Sequence, residues 1–278
     1  MNNRLPGPFV LELSDARCSD VALSGGKGAS LARLIRHGFT VPPGFVITSA
    51  AFAAAVDHDE LRTKIQVGDI VAARELVAAA RAPRDLVAAC YEPLAGAPVA
   101  VRSSACAEDS VEASYAGQQE TYLNVHGLHV VLEKVVECWL SFFSEHAFFY
   151  RTAKGSLDDV SIAVVVQRMV DARRSGVMFT VDPVQGRRDR IVIEAGFGLG
   201  DRVVSGEVTP DWYTLDRSGT VRKARVVGKR VMGDDELAEL VRLGLRVADL
   251  NGNCPQDIEW AWDDDQVYLL QSRPVTAF

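Results

Sequence analysis

Four short stretches of the 278-residue chain combine residue types that can do chemistry. In Gly25-Gly26-Lys27-Gly28 a lysine stands in a glycine loop at the start of a helical pattern. Backbone N–H groups and the helix dipole attract an anion there, and the ammonium adds a full charge. The spacing is not GxxxxGK[ST], because Val21 occupies the first glycine position and Gly28 follows the lysine. An anion site and a plainly capped helix remain equal readings. In Val101-Arg102-Ser103-Ser104 an arginine and two hydroxyls follow a short strand, and Ala116-Gly117-Gln118-Gln119-Glu120-Thr121 comes soon after. Gly117 and Thr121 suit close approach to phosphate oxygens; a surface arginine and an ordinary turn would give the same letters.

The fourth stretch is a C-terminal hairpin. With Asp264-Asp265-Gln266 as a three-residue loop, Asp263 pairs with Val267, Trp262 with Tyr268, and Glu259 with Gln271. Alternation then sends Glu259, Ala261, Leu269, Gln271 and Arg273 to one face. A carboxylate and an amide oxygen are hard ligands that suit Mg²⁺, and a planar guanidinium suits phosphate. An exposed Glu–Arg pair of small energetic weight is the competing reading. Gly196-Phe197-Gly198-Leu199-Gly200-Asp201 fails as a dinucleotide fingerprint, since aspartate stands where GxGxxG needs its last glycine.

Several elements must position these residues. Ala29, Leu31, Ala32, Leu34 and Ile35 carry the helix that leaves the glycine loop, and Gly38 with Pro42-Pro43-Gly44 ends it. Phe45–Ile47 is a strand, residues 50–95 read as two or three small helices, and Val99–Val101 is a second strand. Residues 128–150 read as a helix with Leu132, Val135, Val136, Trp139, Leu140 and Phe143 inward. After Gly155 the texture changes to β-branched runs at 160–166, 176–181, 191–194, 212–215 and 221–231, then a helix over 234–250 with Leu237, Leu240 and Val241 inward. The expected division is therefore an N-terminal α/β lobe, 1–155, and a C-terminal lobe, 156–278.

Composition narrows the function. Hydrophobic residues are 48% and charged residues 24%, so the chain is globular rather than disordered. Net charge is −7, which leaves no global field to draw in nucleic acid or an anionic membrane; an anion must be held by a few placed cations. Cysteines 18, 90, 106, 138 and 254 are odd in number and widely spaced, neither a disulfide framework nor a CxxC metal site. The five histidines, 37, 58, 126, 129 and 146, have no metal spacing. Met1 to Asp15 shows no basic start followed by an apolar run, and no stretch reaches about 18 apolar residues, so a cytoplasmic protein without a signal peptide is expected.

Taken together, the stretches 25–48, 101–125, 164–170, 175–183, 193–211, 255–262 and 269–275 resemble, in order and almost end to end, the N-terminal ATP-binding domain of phosphoenolpyruvate synthase, pyruvate phosphate dikinase and rifampin phosphotransferase. The resemblance implies an α+β, two-lobed ATP-grasp fold in which an antiparallel sheet lobe helps clamp the nucleotide. It implies that Lys27 and Arg102 hold the ATP phosphates and that the loop with Gly117, Gln118 and Thr121 covers them. Gln167, Met169 and Val170 would line the adenine edge, mostly through backbone groups, and Glu194 joins the nucleotide-binding residues. Glu259 and Gln271 would hold Mg²⁺, and Arg273 would sit on the phosphates being cleaved. In the family a phosphoryl-accepting histidine stands in a T-x-H-A-A motif of a further domain, and no histidine here does. The stretches 50–98 and 231–255 look trimmed. Three functions are open: an ATP half-reaction giving AMP and phosphate with a histidine domain on a separate chain, direct phosphorylation of a small acceptor, and a nucleotide-binding module without turnover.

Overall fold

A computed structural model describes residues 8–106, 120–143, 161–200 and 206–275. The chain divides into two compact units, Met1–Arg36 with Pro43–Met169, and His37–Pro42 with Val170–Phe278. The expected division at 155 differs from this one. Strand Ile162–Arg168 pairs with both Gly44–Ile47 and Val99–Ala105, so backbone hydrogen bonding ties it to the first unit.

The first unit is built on a five-stranded sheet. Its strands are β1 (Val10–Glu12), β2 (Gly44–Ile47), β3 (Val99–Ala105), β4 (Thr121–Val125) and β5 (Ile162–Arg168), in the order β1-β2-β5-β3-β4. Every pairing is antiparallel. Alternation divides its residues between two faces. Phe45, Ile47, Val99, Val101, Val164 and Val166 enter a core completed by the helices between Ser49 and Tyr91 and by Leu128–Ser141. The region 50–95 folds as four short helices rather than two or three: Ser49–Ala55, His58–Gln66, Ile70–Ala79 and Arg84–Tyr91. Helix Leu128–Ser141 buries Val131, Val135, Cys138 and Trp139, while Leu132, Val136 and Leu140 are half-buried. Its inward stripe is thus rotated from the expected one, because Cys138 counts as a small apolar residue.

The opposite face receives α1 (Val21–Arg36). A Cβ at Gly28 would lie 3.2 Å from Val46 Cγ2 and 2.9 Å from Ser24 Cβ, so this glycine permits a close approach of helix and sheet. The helix starts four residues earlier than the glycine loop suggests. It is broken at Gly25, whose φ of 69° and ψ of 173° lie in a region essentially reserved for glycine.

The second unit carries a six-stranded antiparallel sheet, order β11-β10-β6-β7-β8-β9. The strands are β6 (Arg174–Phe179), β7 (Arg190–Phe197), β8 (Asp211–Asp216), β9 (Val221–Arg225), β10 (Gln256–Trp262) and β11 (Val267–Pro274). Helix Asp234–Leu250 buries Leu237, Leu240, Val241 and Val247. A Cβ at Gly244 would meet Met178 Sδ at 2.8 Å and Thr180 Cγ2 at 3.2 Å, which sets the helix on the Met178 side of the sheet. The expected strand 221–231 stops at Arg225. Beyond it the chain is bound by Asp211, a fully buried carboxylate that accepts from Val227 N–H at 2.7 Å, Val231 N–H at 2.8 Å and Tyr213 O–H at 2.7 Å. Among the described residues no helix is long and apolar enough to cross a membrane.

Candidate functional site

In the first unit the sheet register brings four of the sequence-predicted residues together. Arg102 pairs with Thr121 on one side and Val165 on the other, and Val165 pairs with Val46. One step along, Gln167 pairs with Ala100 and Gly44. Arg102, Thr121 and Gln167 therefore share the face that carries α1 and Lys27. Arg102 is buried, 7% exposed, as is Gln167 at 3%, whereas Thr121 is exposed.

Strand β3 grips the lysine at two points. The Lys27 ammonium donates to Ser103 O at 2.8 Å. The Ser104 hydroxyl accepts from the backbone N–H of Lys27 at 3.2 Å and of Gly28 at 3.4 Å, and donates to Ser24 O at 2.8 Å. Those backbone donors, which the sequence offers to an anion, are occupied by a serine hydroxyl. The charge available at this end is the ammonium. Ser103 also donates its N–H to Glu120 O at 3.0 Å, fastening the start of β4 to the same strand end. Gly117 and Gln118 lie outside the described residues.

The residues expected at an adenine edge are partly engaged by the protein itself. Arg168 N–H donates to Pro43 O and Met169 N–H to Pro98 O, each at 2.9 Å. Val170, which opens the second unit's main stretch, accepts at its carbonyl from Ala172 N–H at 2.8 Å. Met169 and Val170 are half-buried.

In the second unit the register assembles an acidic row. Gln271 pairs with Glu259, Glu259 with Val177, and Val177 with Glu194. Directly paired residues point to the same face with Cβ atoms about 5 Å apart. Two residues along, Arg273 pairs with Asp257. The Glu259–Gln271 pairing is the expected one, but the hairpin reaches it differently. Asp263 caps a four-residue turn, accepting at Oδ1 from Asp265 N–H and Gln266 N–H, both at 2.8 Å. Trp262 therefore pairs with Val267 rather than Tyr268, and a bulge beyond Trp260 restores the register at Glu259. The longer turn also moves Leu269 to the side of Trp260, away from Glu259, and Tyr268 takes its place opposite Ala261.

Electrostatics knit this row together. Burial pushes the Glu194 carboxyl up, and the charge of Asp257 adds to the shift. Burial also pushes Asp257 up, opposed by Arg273 and reinforced by Glu259. Arg273 donates Nε to Asp257 Oδ2 at 2.8 Å and holds an Nη at the same distance. Its side chain stays 53% exposed, so the carboxylate orients a guanidinium that still faces solvent. Among the described residues no three His, Cys, Asp or Glu side chains cluster so as to hold a metal alone. A divalent cation at Glu259 would need the Gln271 amide oxygen and further oxygens from outside the protein, a donor set of hard oxygens that fits Mg²⁺.

A family model described as pyruvate phosphate dikinase, AMP/ATP-binding domain, matches residues 21–232 and 219–278. The chain belongs to this family. Probable phosphoenolpyruvate synthases of Archaeoglobus fulgidus and Methanothermobacter thermautotrophicus are 40% and 41% identical, over 96% of this chain and 41% and 46% of theirs. A Streptomyces rifampicin phosphotransferase is 41% identical over 98% of this chain and 36% of its own. The chain thus spans less than half the length of these relatives. The aligned stretches, 314 to 316 positions, exceed the 278 residues present, in keeping with trimmed segments. A solved D-alanine–D-alanine ligase from Bacillus anthracis, complexed with ATP, is 12% identical over 94% of this chain and 57% of that one, with a TM-score of 0.39, too distant a likeness to carry an argument.

Within this dikinase-type AMP/ATP-binding domain, sequence reasoning missed Asp257 and the partners of Ser104. Asp257 stands two positions before Glu259, so strand alternation alone places it on the same face. Ser104 carries no such signal, since its partners Ser24, Lys27 and Gly28 are nearly eighty positions away.

Proposed function

We propose that this chain binds ATP with Mg²⁺ and carries out the ATP half of a phosphoryl transfer, cleaving ATP to AMP and phosphate: one phosphoryl group passes to a histidine domain on a separate chain, and water takes the other as phosphate. Lys27 and Arg102 are assigned to the phosphate chain, and the loop with Gly117, Gln118 and Thr121 to its cover. Gln167, Met169, Val170 and Glu194 are assigned to the nucleoside, Glu259 and Gln271 to Mg²⁺, and Arg273 to the phosphates being cleaved. Mg²⁺ bound there supplies neutralisation of phosphate charge. The protein's part is positioning: transfer of a phosphoryl group asks for little covalent chemistry from side chains, and for cations held in place before the reaction.

The observation that carries the reading is the row Glu194, Glu259 and Gln271 beside the Asp257–Arg273 pair. Two carboxylates whose burial disfavours their charge, Glu194 and Asp257, stand near Glu259, a hard amide oxygen and an oriented guanidinium. That set calls for a cation and an anion together, as a metal–polyphosphate provides. Membership of the AMP/ATP-binding domain family supports the nucleotide. Relatives named for two different final products match about equally well, which supports the ATP side as the shared chemistry.

Phosphorus NMR of Mg–ATP with the protein and candidate acceptors tests the proposal. AMP with phosphate is the expected result. ADP would favour direct phosphorylation of a small acceptor. ATP that fails even to raise the thermal transition at millimolar concentration would overturn the reading, because a ligand selective for the native state must stabilise it.

A further inference from the structure

We infer that Ser104 is a positioning residue that fixes where Lys27 presents its ammonium relative to Arg102. The inference rests on the proposed role of Lys27 at the ATP phosphates.

The geometry is a three-way junction. Gly25 breaks α1, so the chain re-enters the helix at Gly26, and the N–H groups just after the break stand where a helix start needs outside acceptors. A helix start of this kind is ordinarily capped by a neighbouring Ser, Thr, Asp or Asn of its own chain segment. Here the cap comes from another element. The Ser104 hydroxyl accepts from Lys27 N–H and Gly28 N–H and gives its own proton to Ser24 O, ahead of the break. One buried hydroxyl therefore holds both sides of the glycine break against β3. A Cβ on Gly25 would collide with the Ser104 hydroxyl and carbonyl, so the close approach needs glycine at one side and a small hydroxyl at the other.

Ser104 lies two residues after Arg102 on the same strand face, and Ser103 between them takes the lysine ammonium on its carbonyl. The cation at 27 and the cation at 102 come from sequence-distant elements, and the Ser104 hydroxyl ties the backbone of the one to the strand that carries the other. Without it the helix start is free to shift and the ammonium loses a fixed origin. Misplaced charge loses binding to phosphate, while contacts to a base and ribose are untouched.

The test compares the full chain with Ser104→Ala by calorimetric titration of Mg–ATP and of adenosine, alongside amide hydrogen exchange in protein labelled at lysine and glycine. Wild-type protein should show slow exchange at Lys27 and Gly28. The variant should exchange faster at those two amides and bind ATP about tenfold more weakly, the loss expected for removal of a buried hydrogen-bond hub. Its adenosine affinity should stay within about twofold, which a general loss of structure would not produce. Unchanged ATP affinity in a folded variant overturns the inference, as does an equal loss for adenosine. If the variant does not fold, exchange in the wild type decides: unprotected Lys27 and Gly28 amides overturn the clamp. A wild-type protein that binds no ATP overturns the functional reading itself, an outcome separate from a variant that binds as well as wild type.

Discussion

Alanine at Gly25 and alanine at Gly26 should move stability in opposite directions although the residues are adjacent. Gly25 has φ 69° and ψ 173°, a combination that costs a residue with a Cβ about 1–3 kcal/mol. Its Cβ would also overlap Ser104, whose backbone is held by its pairing with Ala163 of β5 and cannot move far. Overpacking of this kind costs about 1–3 kcal/mol more. The sum, about 2–6 kcal/mol, is a large share of the 5–15 kcal/mol that typically separates folded from unfolded chains. A Cβ on Gly26 meets nothing within 4 Å, and alanine there gains up to about 1 kcal/mol of helix propensity. Because the two units need not unfold together, the probe must report on the first. Of the four tryptophans, only Trp139 belongs to it, fully buried, so its fluorine resonance in 5-fluorotryptophan-labelled protein follows that unit through a urea titration. A Gly25→Ala midpoint equal to wild type, or the same shift for both variants, would refute the reasoning.

Asp211→Ala leaves two backbone N–H groups and a tyrosine hydroxyl without their buried acceptor. A loss of roughly 3 kcal/mol and new proteolytic cleavage within 226–230 are expected, and an unchanged digestion pattern would count against the strut. Burial holds the Glu194 pKa above its ordinary value, so its contribution to stability is present below the ordinary carboxylate range and lost as pH rises through the raised pKa. Glu194→Gln should therefore raise the thermal transition at about pH 7 and leave it nearly unchanged at about pH 3.5; equal shifts at both would contradict the assignment. The Cys18 thiol, buried and pushed up to about 12, should escape iodoacetamide in native protein at about pH 8, as peptide mapping of the labelled sites would show.

The grouping of the hairpin residues was legible in the sequence, and for identifiable reasons. Glu259, Gln271 and Arg273 lie within one hairpin, where alternation and a short loop confine the possible pairings, so their common face follows from local rules. The Glu259–Gln271 pair emerged even though the assumed turn was one residue short, because the bulge beyond Trp260 cancels the difference. Between the turn and the bulge the one-residue difference stands uncorrected, so Leu269 was assigned to the wrong side. The inward face of helix Leu128–Ser141 was offset because Cys138 was not counted among the apolar residues, although it is fully buried. The boundary near 155 followed a change in local texture, whereas the unit a strand joins depends on its partners.

By itself the sequence determined the kinds of charge present, their scarcity in a chain of net charge −7, and the strand and helix segments that carry them, since these depend on residue type and short-range period. Tertiary structure decided which distant residues meet. Asp257 takes Arg273, Glu194 joins the row of Glu259 through Val177, and Ser104 occupies the backbone donors beside Lys27 that the glycine loop seemed to offer an anion. Hydrogen-bond partners across tens of residues are set by strand order and close packing, and neither is written in any local pattern.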